Sequence, residues 1–437
     1  MNEHVNIVFL KKNNLFKVTI FGILFWLTLL ILTPVKIKHP VSFLPFLLIF
    51  INYIFFFLGY FSLPPIKKEN VLSYSINRNA VKKALFIIMA IALFGVFLKL
   101  FDKFYLREGS FNYSMSENRV LLEKAGASVI SIISAIINPL ALIPLFLYHT
   151  LDMKNKWMYT LCLFLFFSAS FEFLMLGSRS GLFVLLVLFA IYLRYFKKLK
   201  ITYGRVIIVS VLLFFLGIYS VNLFIERTND FTKDRKKSIK HILTKAGFNY
   251  TIEPSESIRN SIINSNNETF QVIQLGFINF SQYYLHGVYE FNYMYNNYSA
   301  PHYYGAYTFN VFAKFINIIF RTDIDLQSIQ KAPPRTGIYT TFFGPIFIDF
   351  GWFSFLFMFL FGFFQKYIYN QTIKGRFQFI PLLFYMMIIN FFLLVINFIN
   401  GAQGIYIITG FLLFAILYIL LTGKLIISKR QYVKILK

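Results

Sequence analysis

The chain has 437 residues, 57% of them hydrophobic and only 14% charged, with a formal charge of +25 and a mean hydropathy of +0.63. Soluble domains carry roughly a quarter charged residues, so this composition excludes a water-facing surface and reads as an all-α, polytopic membrane protein without a second soluble domain. The surplus Lys and Arg fall in short polar intervals between apolar runs, which makes them topology and lipid-headgroup signals and argues against nucleic acid as a partner.

In chain order, the first polar stretch is basic and no small-residue cleavage site follows the first apolar run, which is therefore expected to be a retained helix. Candidate spans follow at 15–33, 41–63, 84–101, 127–149, 157–176, 181–196, 206–225, 341–369, 379–399 and 405–421. That is about ten transmembrane helices. They divide the chain into seven spans in 1–225, one large extracytoplasmic loop at 226–340, and three spans with a cytoplasmic tail in 341–437. Lys67, Lys68, Lys82, Lys83, Lys154, Lys197, Lys198, Lys374 and Arg376 lie in alternate short intervals, which places both termini in the cytoplasm. The intervals 34–40, 102–126, 178–180, 226–340 and 400–404 are then on the outer face.

Between the fifth and sixth spans stands Gly177-Ser178-Arg179-Ser180-Gly181, a turn that presents Arg179 at the outer membrane face. Glu172, seven residues earlier and inside a span, needs a partner or a function. Arg179 is read either as its structural partner or as a ligand-binding group. Within the large loop, 227–268 is polar surface. In 270–298, Val272, Leu275, Phe280, Tyr284, Val288 and Phe291 recur at helical spacing, predicting an amphipathic helix against the outer membrane boundary. The segments 300–309 and 331–340 carry Pro and Gly and predict ordered turns. The sequence contains no internal repeat and no inverted pair of broken helices.

The outer intervals gather Arg107, Arg119, Arg179, Arg259, Arg321 and Arg335. A guanidinium offers a planar fork of donors that matches phosphate oxygens and stays charged at physiological pH, so the set predicts an anionic ligand, with Arg259 assigned to lipid headgroups. Nine tyrosines lie between 283 and 307, among them Tyr283, Tyr284, Tyr289, Tyr303 and Tyr304. They read equally as an interfacial aromatic belt and as sugar-stacking platforms. His286 and Glu290 are four apart on one helix face, either as a helix-stabilising contact or as a base and its orienting partner. His302 and Asp349 are further acid or base candidates, Asp349 lying within a span where it binds a helix terminus or lines a cavity. Asp323-Ile324-Asp325 is assigned to solvated surface. The lone Cys162 and six scattered histidines supply no metal site.

The order of Gly177–Gly181, the run Tyr283-Tyr284-Leu285-His286-Gly287, the turn Gly305-Ala306-Tyr307-Thr308-Phe309 and Gly337-Ile338-Tyr339-Thr340-Thr341 leading to Asp349-Phe350-Gly351 resembles the Wzy-type oligosaccharide repeat-unit polymerases of O-antigen and capsule synthesis. The resemblance implies a GT-C-like, metal-independent and cofactor-free glycosyltransferase of the bacterial cytoplasmic membrane. Such an enzyme transfers a glycan from an undecaprenyl-pyrophosphate donor to a second lipid-linked repeat unit, with membrane lipids, a flippase and a chain-length regulator as candidate partners. It assigns Arg107, Arg119, Arg179, Arg321 and Arg335 to the donor pyrophosphate, Arg179, Glu290 and His286 to catalysis, and the five named tyrosines to sugar binding. An O-antigen ligase has the same topology and remains the alternative. A flippase or transporter of lipid-linked sugars is a further one, but it would spread charges through many spans, whereas here Glu172 and Asp349 are the notable exceptions.

Overall fold

A computed structural model describes residues 14–66, 78–114, 117–118, 120–121, 129–176, 179–196, 217–218, 221–222, 225–226, 228, 234–374, 376–401 and 404–422. Helices dominate, because the apolar runs satisfy their backbone groups internally and leave their side chains to pack or to face lipid. They are α1 (Asn14–Leu32), α2 (Phe43–Ser62), α3 (Arg78–Leu100), α4 (Val129–Ile137), α5 (Ile143–Thr150), α6 (Lys156–Phe167), α7 (Ala169–Met175) and α8 (Arg179–Phe196). After them come α9 (Arg235–Lys245), α10 (Glu256–Ile263), α11 (Glu268–Asn297), α12 (Asn310–Phe320), α13 (Leu326–Lys331), α14 (Phe343–Phe350), α15 (Ser354–Ile373), α16 (Ile380–Phe391) and α17 (Gly404–Thr422). Among the described residues, seven helical stretches are long and apolar enough to cross a membrane: Leu15–Leu32, Phe43–Ser62, Arg78–Leu106, Ile130–Thr150, Lys156–Met175, Phe343–Ile373 and Gly404–Leu421. The protein is a multi-pass membrane protein. Ser180–Phe196 and Phe377–Phe391 are shorter apolar helices, and most of the predicted span 206–225 lies outside the described residues.

The one sheet among the described residues pairs β1 (Val35–Ile37) antiparallel with β2 (Ile252–Pro254). It ties the 34–40 interval to the large loop, so both occupy the same face of the helical bundle. Lys38 and Arg259 both pair with Glu253, at 3.5 and 3.2 Å, and Arg259 also donates to the Pro254 carbonyl. The sheet-side ion pair thus claims the arginine predicted to meet headgroups.

Two predicted spans are not continuous helices. The stretch 341–369 turns at Gly351, where φ is +57°, a conformation glycine adopts without steric cost. Phe342 stacks on Phe361 and Phe350 on Phe357, a pairing in which α14 runs antiparallel to α15. In 379–399 the helix ends at Phe391, and 392–399 continues as irregular, buried backbone. Irregular backbone inside a membrane protein must be satisfied by protein. Here Phe342 N–H donates to Leu393 O, the Asn397 side chain donates to Phe342 O and accepts from the amides of Ile399 and Asn400, and Tyr385 donates to Phe398 O.

The predicted helix 270–298 forms as α11, with Phe270, Phe277 and Phe280 exposed in its first half, but its second half does not lie on the surface. Every residue from Tyr284 to Asn292 is buried, with Trp26 donating to the Tyr284 carbonyl at 3.1 Å and Asn292 accepting from the Ser42 amide at 2.9 Å. Packing against α1, α2 and α14 has absorbed both faces of its second half.

The closest helix pair is α2 with α15, which approach through Gly59 and Gly362. A Cβ at Gly59 would stand 1.9 Å from Phe359 O, and one at Gly362 would stand 2.1 Å from Phe56 O. Small residues of this kind let backbones touch where the hydrophobic effect gives no drive between helices. Gly362→Ala is therefore expected to push the pair apart at a cost of about 1–3 kcal/mol, read as a lowered unfolding temperature of the detergent-purified protein. Gly217→Ala, with nothing within 4 Å, is the control; equal behaviour of the two variants would contradict the packing.

Candidate functional site

The ends of α3, α7, α8, α12 and α17 enclose a cavity of about 440 Å³. Three of the helical stretches that wall it are distorted where they meet it. The last turn beyond α3 is a π-helix, Phe101–Leu106. Pro139 lacks the N–H that a straight helix needs and forces a 3₁₀ turn, Asn138–Leu142, between α4 and α5. Ser168 donates its hydroxyl back to Leu165 O at the junction of α6 and α7, a bond that bends helices. Asn138 and Ser168 consequently face the cavity.

The π-turn has a chemical consequence. It brings Asp102 and Arg107 together, so that Arg107 N–H donates to Asp102 O and Arg107 Nε lies 3.0 Å from Asp102 Oδ2. Four residues apart on the same helical stretch, Lys99 and Lys103 reach Glu172 of α7 at 2.6 and 3.5 Å. Glu172 is buried, and these lysines are partners that the sequence did not suggest for it. Lys314 of α12 faces the cavity from the opposite side and has no ion pair among the described residues. Among the described residues of the lining, Lys99, Lys103, Arg107 and Lys314 thus face two carboxylates, Asp102 and Glu172, two more cations than carboxylates.

Gly181 also lines the cavity, in the first turn of α8. A Cβ there would stand 2.6 Å from the Phe173 ring, so glycine lets the start of α8 approach α7 closely. The free amides of a helix's first turn favour an anion. Gly177, Ser178 and the Arg179 side chain lie outside the described residues, as does Arg119; the α8 backbone begins at Arg179, beside the cavity-lining Gly181.

The predicted base pair sits elsewhere, in a buried cluster under the sheet. Glu290 Oε1 accepts from Thr251 Oγ1 at 2.9 Å and from Arg335 Nη1 at 2.5 Å. Arg335 also donates to Gly247 O and lies 3.9 Å above the Tyr250 ring. Burial raises the Glu290 carboxyl above its ordinary range, against the pull of Arg335 and of the Thr251 hydrogen bond. His286 does not bond to Glu290. Its Nδ1–H donates to the Gln282 carbonyl at 2.9 Å, which leaves Nε2 as an unprotonated nitrogen without a hydrogen-bond partner. Neither residue lines the cavity.

The other predicted groups are dispersed. Arg321 is exposed at the left-handed C-cap of α12. Tyr284 and Tyr289 are core residues, with Tyr284 against Phe25 and Phe392. Tyr283 is half-buried against Tyr339, Tyr303 is half-buried, and Tyr304 is 85% exposed. Asp349 takes the amides of Tyr307 and Thr308 at 2.9 and 2.8 Å, so it fastens the 305–309 turn to α14, and His302 packs over Gly351 and contacts Ile348 O. Asp325 caps α13 through the amides of Gln327 and Ser328. No group of three potential ligands among the described residues could hold a metal ion.

Sequence reasoning missed Lys99, Lys103 and Lys314. Two lysines in i, i+4 register on the final turns of one apolar stretch, with an unexplained glutamate in another, was the available signal. No protein-family model, curated protein or solved structure matches the chain.

Burial pushes the His286 imidazole down from 6.5 to about 4, against the two backbone hydrogen bonds that favour its protonated form. Between those values the unfolded chain binds a proton that the folded chain does not. Stability is therefore lost as pH falls from about 6.5 toward 4, by about 3 kcal/mol in all. The unfolding temperature in detergent should drop between pH 7 and pH 5, and His286→Phe should remove much of that drop; an identical drop in the variant would contradict the assignment.

Proposed function

We propose that this protein polymerises polyprenyl-pyrophosphate-linked oligosaccharide repeat units into a surface polysaccharide at the outer face of the bacterial cytoplasmic membrane, as a metal-independent glycosyltransferase of GT-C-like architecture with about ten spans. The observation that carries the reading is the cavity of about 440 Å³ whose described lining residues include four cations against two carboxylates. A pyrophosphate leaves readily when its growing charge is neutralised, and fixed cations in a partly dry site do this without a metal. Lys103, Arg107 and Lys314, with Arg179 at the start of α8, are the groups assigned to the donor.

This assignment revises the sequence expectation in two respects. Neither Arg335, which pairs with Glu290, nor Arg321 is part of the cavity lining. A base must lie within hydrogen-bond reach of the proton it takes, so the acceptor's proton goes to a carboxylate of the cavity, Asp102 or Glu172, in preference to Glu290 or His286. For sugar binding the cavity lining offers Tyr406.

Lys314→Ala is the cleanest test, because Lys314 is exposed and holds no buried partner that its loss would strand. Removing one donor to developing charge typically lowers a rate by about a hundredfold or more. In cells lacking the native gene, the variant should accumulate normally in the membrane while surface glycan stops at one or a few repeat units. Full-length polymer would reject the reading. Loss of all glycan from the core acceptor, with polymer still made on the carrier lipid, would indicate a ligase instead.

A further inference from the structure

The short helix α12 (Asn310–Phe320) is the most exposed apolar element on the cavity face, and its two sides differ in what they meet. Val311, Lys314 and Phe315 line the cavity. Phe312, Ile316, Ile319 and Phe320 form a stripe rotated away from it, the last two 69% and 70% exposed. Eleven residues span about 16 Å, too short to cross a hydrocarbon core of about 30 Å.

Its level relative to the bundle is set by its first turn. Phe309, the N-cap of α12, packs against Phe357, which lies one turn inside the spanning helix α15. On that helix Leu356 and Leu360 are exposed large hydrophobics, the surface that meets acyl chains in a membrane-spanning element. The Phe309–Phe357 contact sets the start of α12 level with the first turn of that helix. At the far end the chain returns to water through Arg321, Thr322 and Asp323, all exposed, and Asn317 pins the return by donating to Ile324 O at 2.7 Å and accepting from its amide and from Thr322.

We propose that α12 lies within the lipid leaflet on the cavity side, as the wall between acyl chains and the cationic cavity, and that an amphiphile with a phosphate-bearing head and an apolar tail enters the cavity sideways past this helix. The head would then meet Lys314 on the inner side of the helix while the tail stays along Phe312, Ile316 and Ile319. A helix that buries one apolar face in the leaflet and turns a cation the other way is suited to that division. The entry route rests on the anion-binding reading of the cavity; the depth of α12 does not.

Two measurements on the full-length protein in lipid nanodiscs, in a Cys162→Ser background, separate these points. Spin labels on Ile316→Cys and Ile319→Cys should be relaxed by oxygen and shielded from a water-soluble nickel chelate, several-fold more than a label on Lys331→Cys. Equal nickel accessibility at the three positions, or spin–spin broadening from a second copy seated on the stripe, would overturn the placement. In a second arm, Ala135→Cys, on the cavity wall, is alkylated by a water-soluble maleimide in the presence of farnesyl pyrophosphate or inorganic pyrophosphate. Protection by farnesyl pyrophosphate at concentrations where inorganic pyrophosphate gives none supports sideways entry. Equal protection by both overturns the route but keeps the anion site, and protection by neither overturns both.

Discussion

A buried carboxylate shared by two lysines holds the functional half of this molecule together. Glu172 belongs to a span, and an ionisable group there is expensive unless it is paired. Lys99 and Lys103 supply the pairing from the end of another span, so the electrostatics that make Glu172 tolerable also fix where α7 stands against α3. Pairing does not make the site neutral. The π-turn adds Arg107 with its own Asp102, and Lys314 arrives across the cavity, which leaves an excess of positive charge beside the first turn of α8. Removing one partner of such a buried pair commonly costs about 3–5 kcal/mol, so the cations are held by structure before any ligand arrives.

A second polar framework supports the cavity face from the other half of the chain. Asp349 receives the turn that launches α12, and the Asn400 side chain donates to Tyr307 O of the same turn. Asn397 ties the irregular segment after α16 to the start of α14, and Gln365 and Asn390 exchange two 2.8 Å hydrogen bonds between α15 and α16. Each bond closes backbone or side-chain groups that the hydrocarbon region would otherwise leave unpaired. The Glu290–Arg335 pair does the same for the large loop, locking α11 to the segments around Gly247 and Thr251. Together these contacts make the 305–309 turn, and hence α12, a fixed wall.

The apolar runs were legible because hydropathy over about 20 residues reports the solvent directly, and the need for glycine at 181 was legible because a larger residue there would meet the Phe173 ring. What sequence could not show was long-range satisfaction of polar groups. The run Tyr284 to Asn292 mixes Tyr, His, Glu and Asn with apolar residues and so reads as an interfacial helix, yet Glu290 finds Thr251 and Arg335, 39 and 45 residues away, and Asn292 finds Ser42, 250 residues away. Those partners pay for burial on both faces. The same blindness hid the partner of Arg335, which looks like a free guanidinium until Glu290 is placed beside it. Lys99 and Lys103 were hidden for the opposite reason: at the end of an apolar run a lysine is ordinarily a snorkelling terminus, and only the arrival of Glu172 turns the pair into a site. The turn residues 305–309 and 349–351 were recognised as a set, and the structure joins them through Asp349.

The central claim is that the cavity between α3, α7, α8 and α12 is an anion site built on surplus positive charge. The most direct measurement is the unfolding temperature of the purified protein titrated with inorganic pyrophosphate at fixed ionic strength. A ligand bound only by the folded state stabilises by about 2.7 kcal/mol at a hundred times its dissociation constant, so the account predicts a saturable rise in the native protein that weakens in Lys314→Ala, at matched ionic strength in sulfate-free buffer. A rise of the same size in Lys314→Ala and in the native protein, or no saturable rise in either, would contradict it.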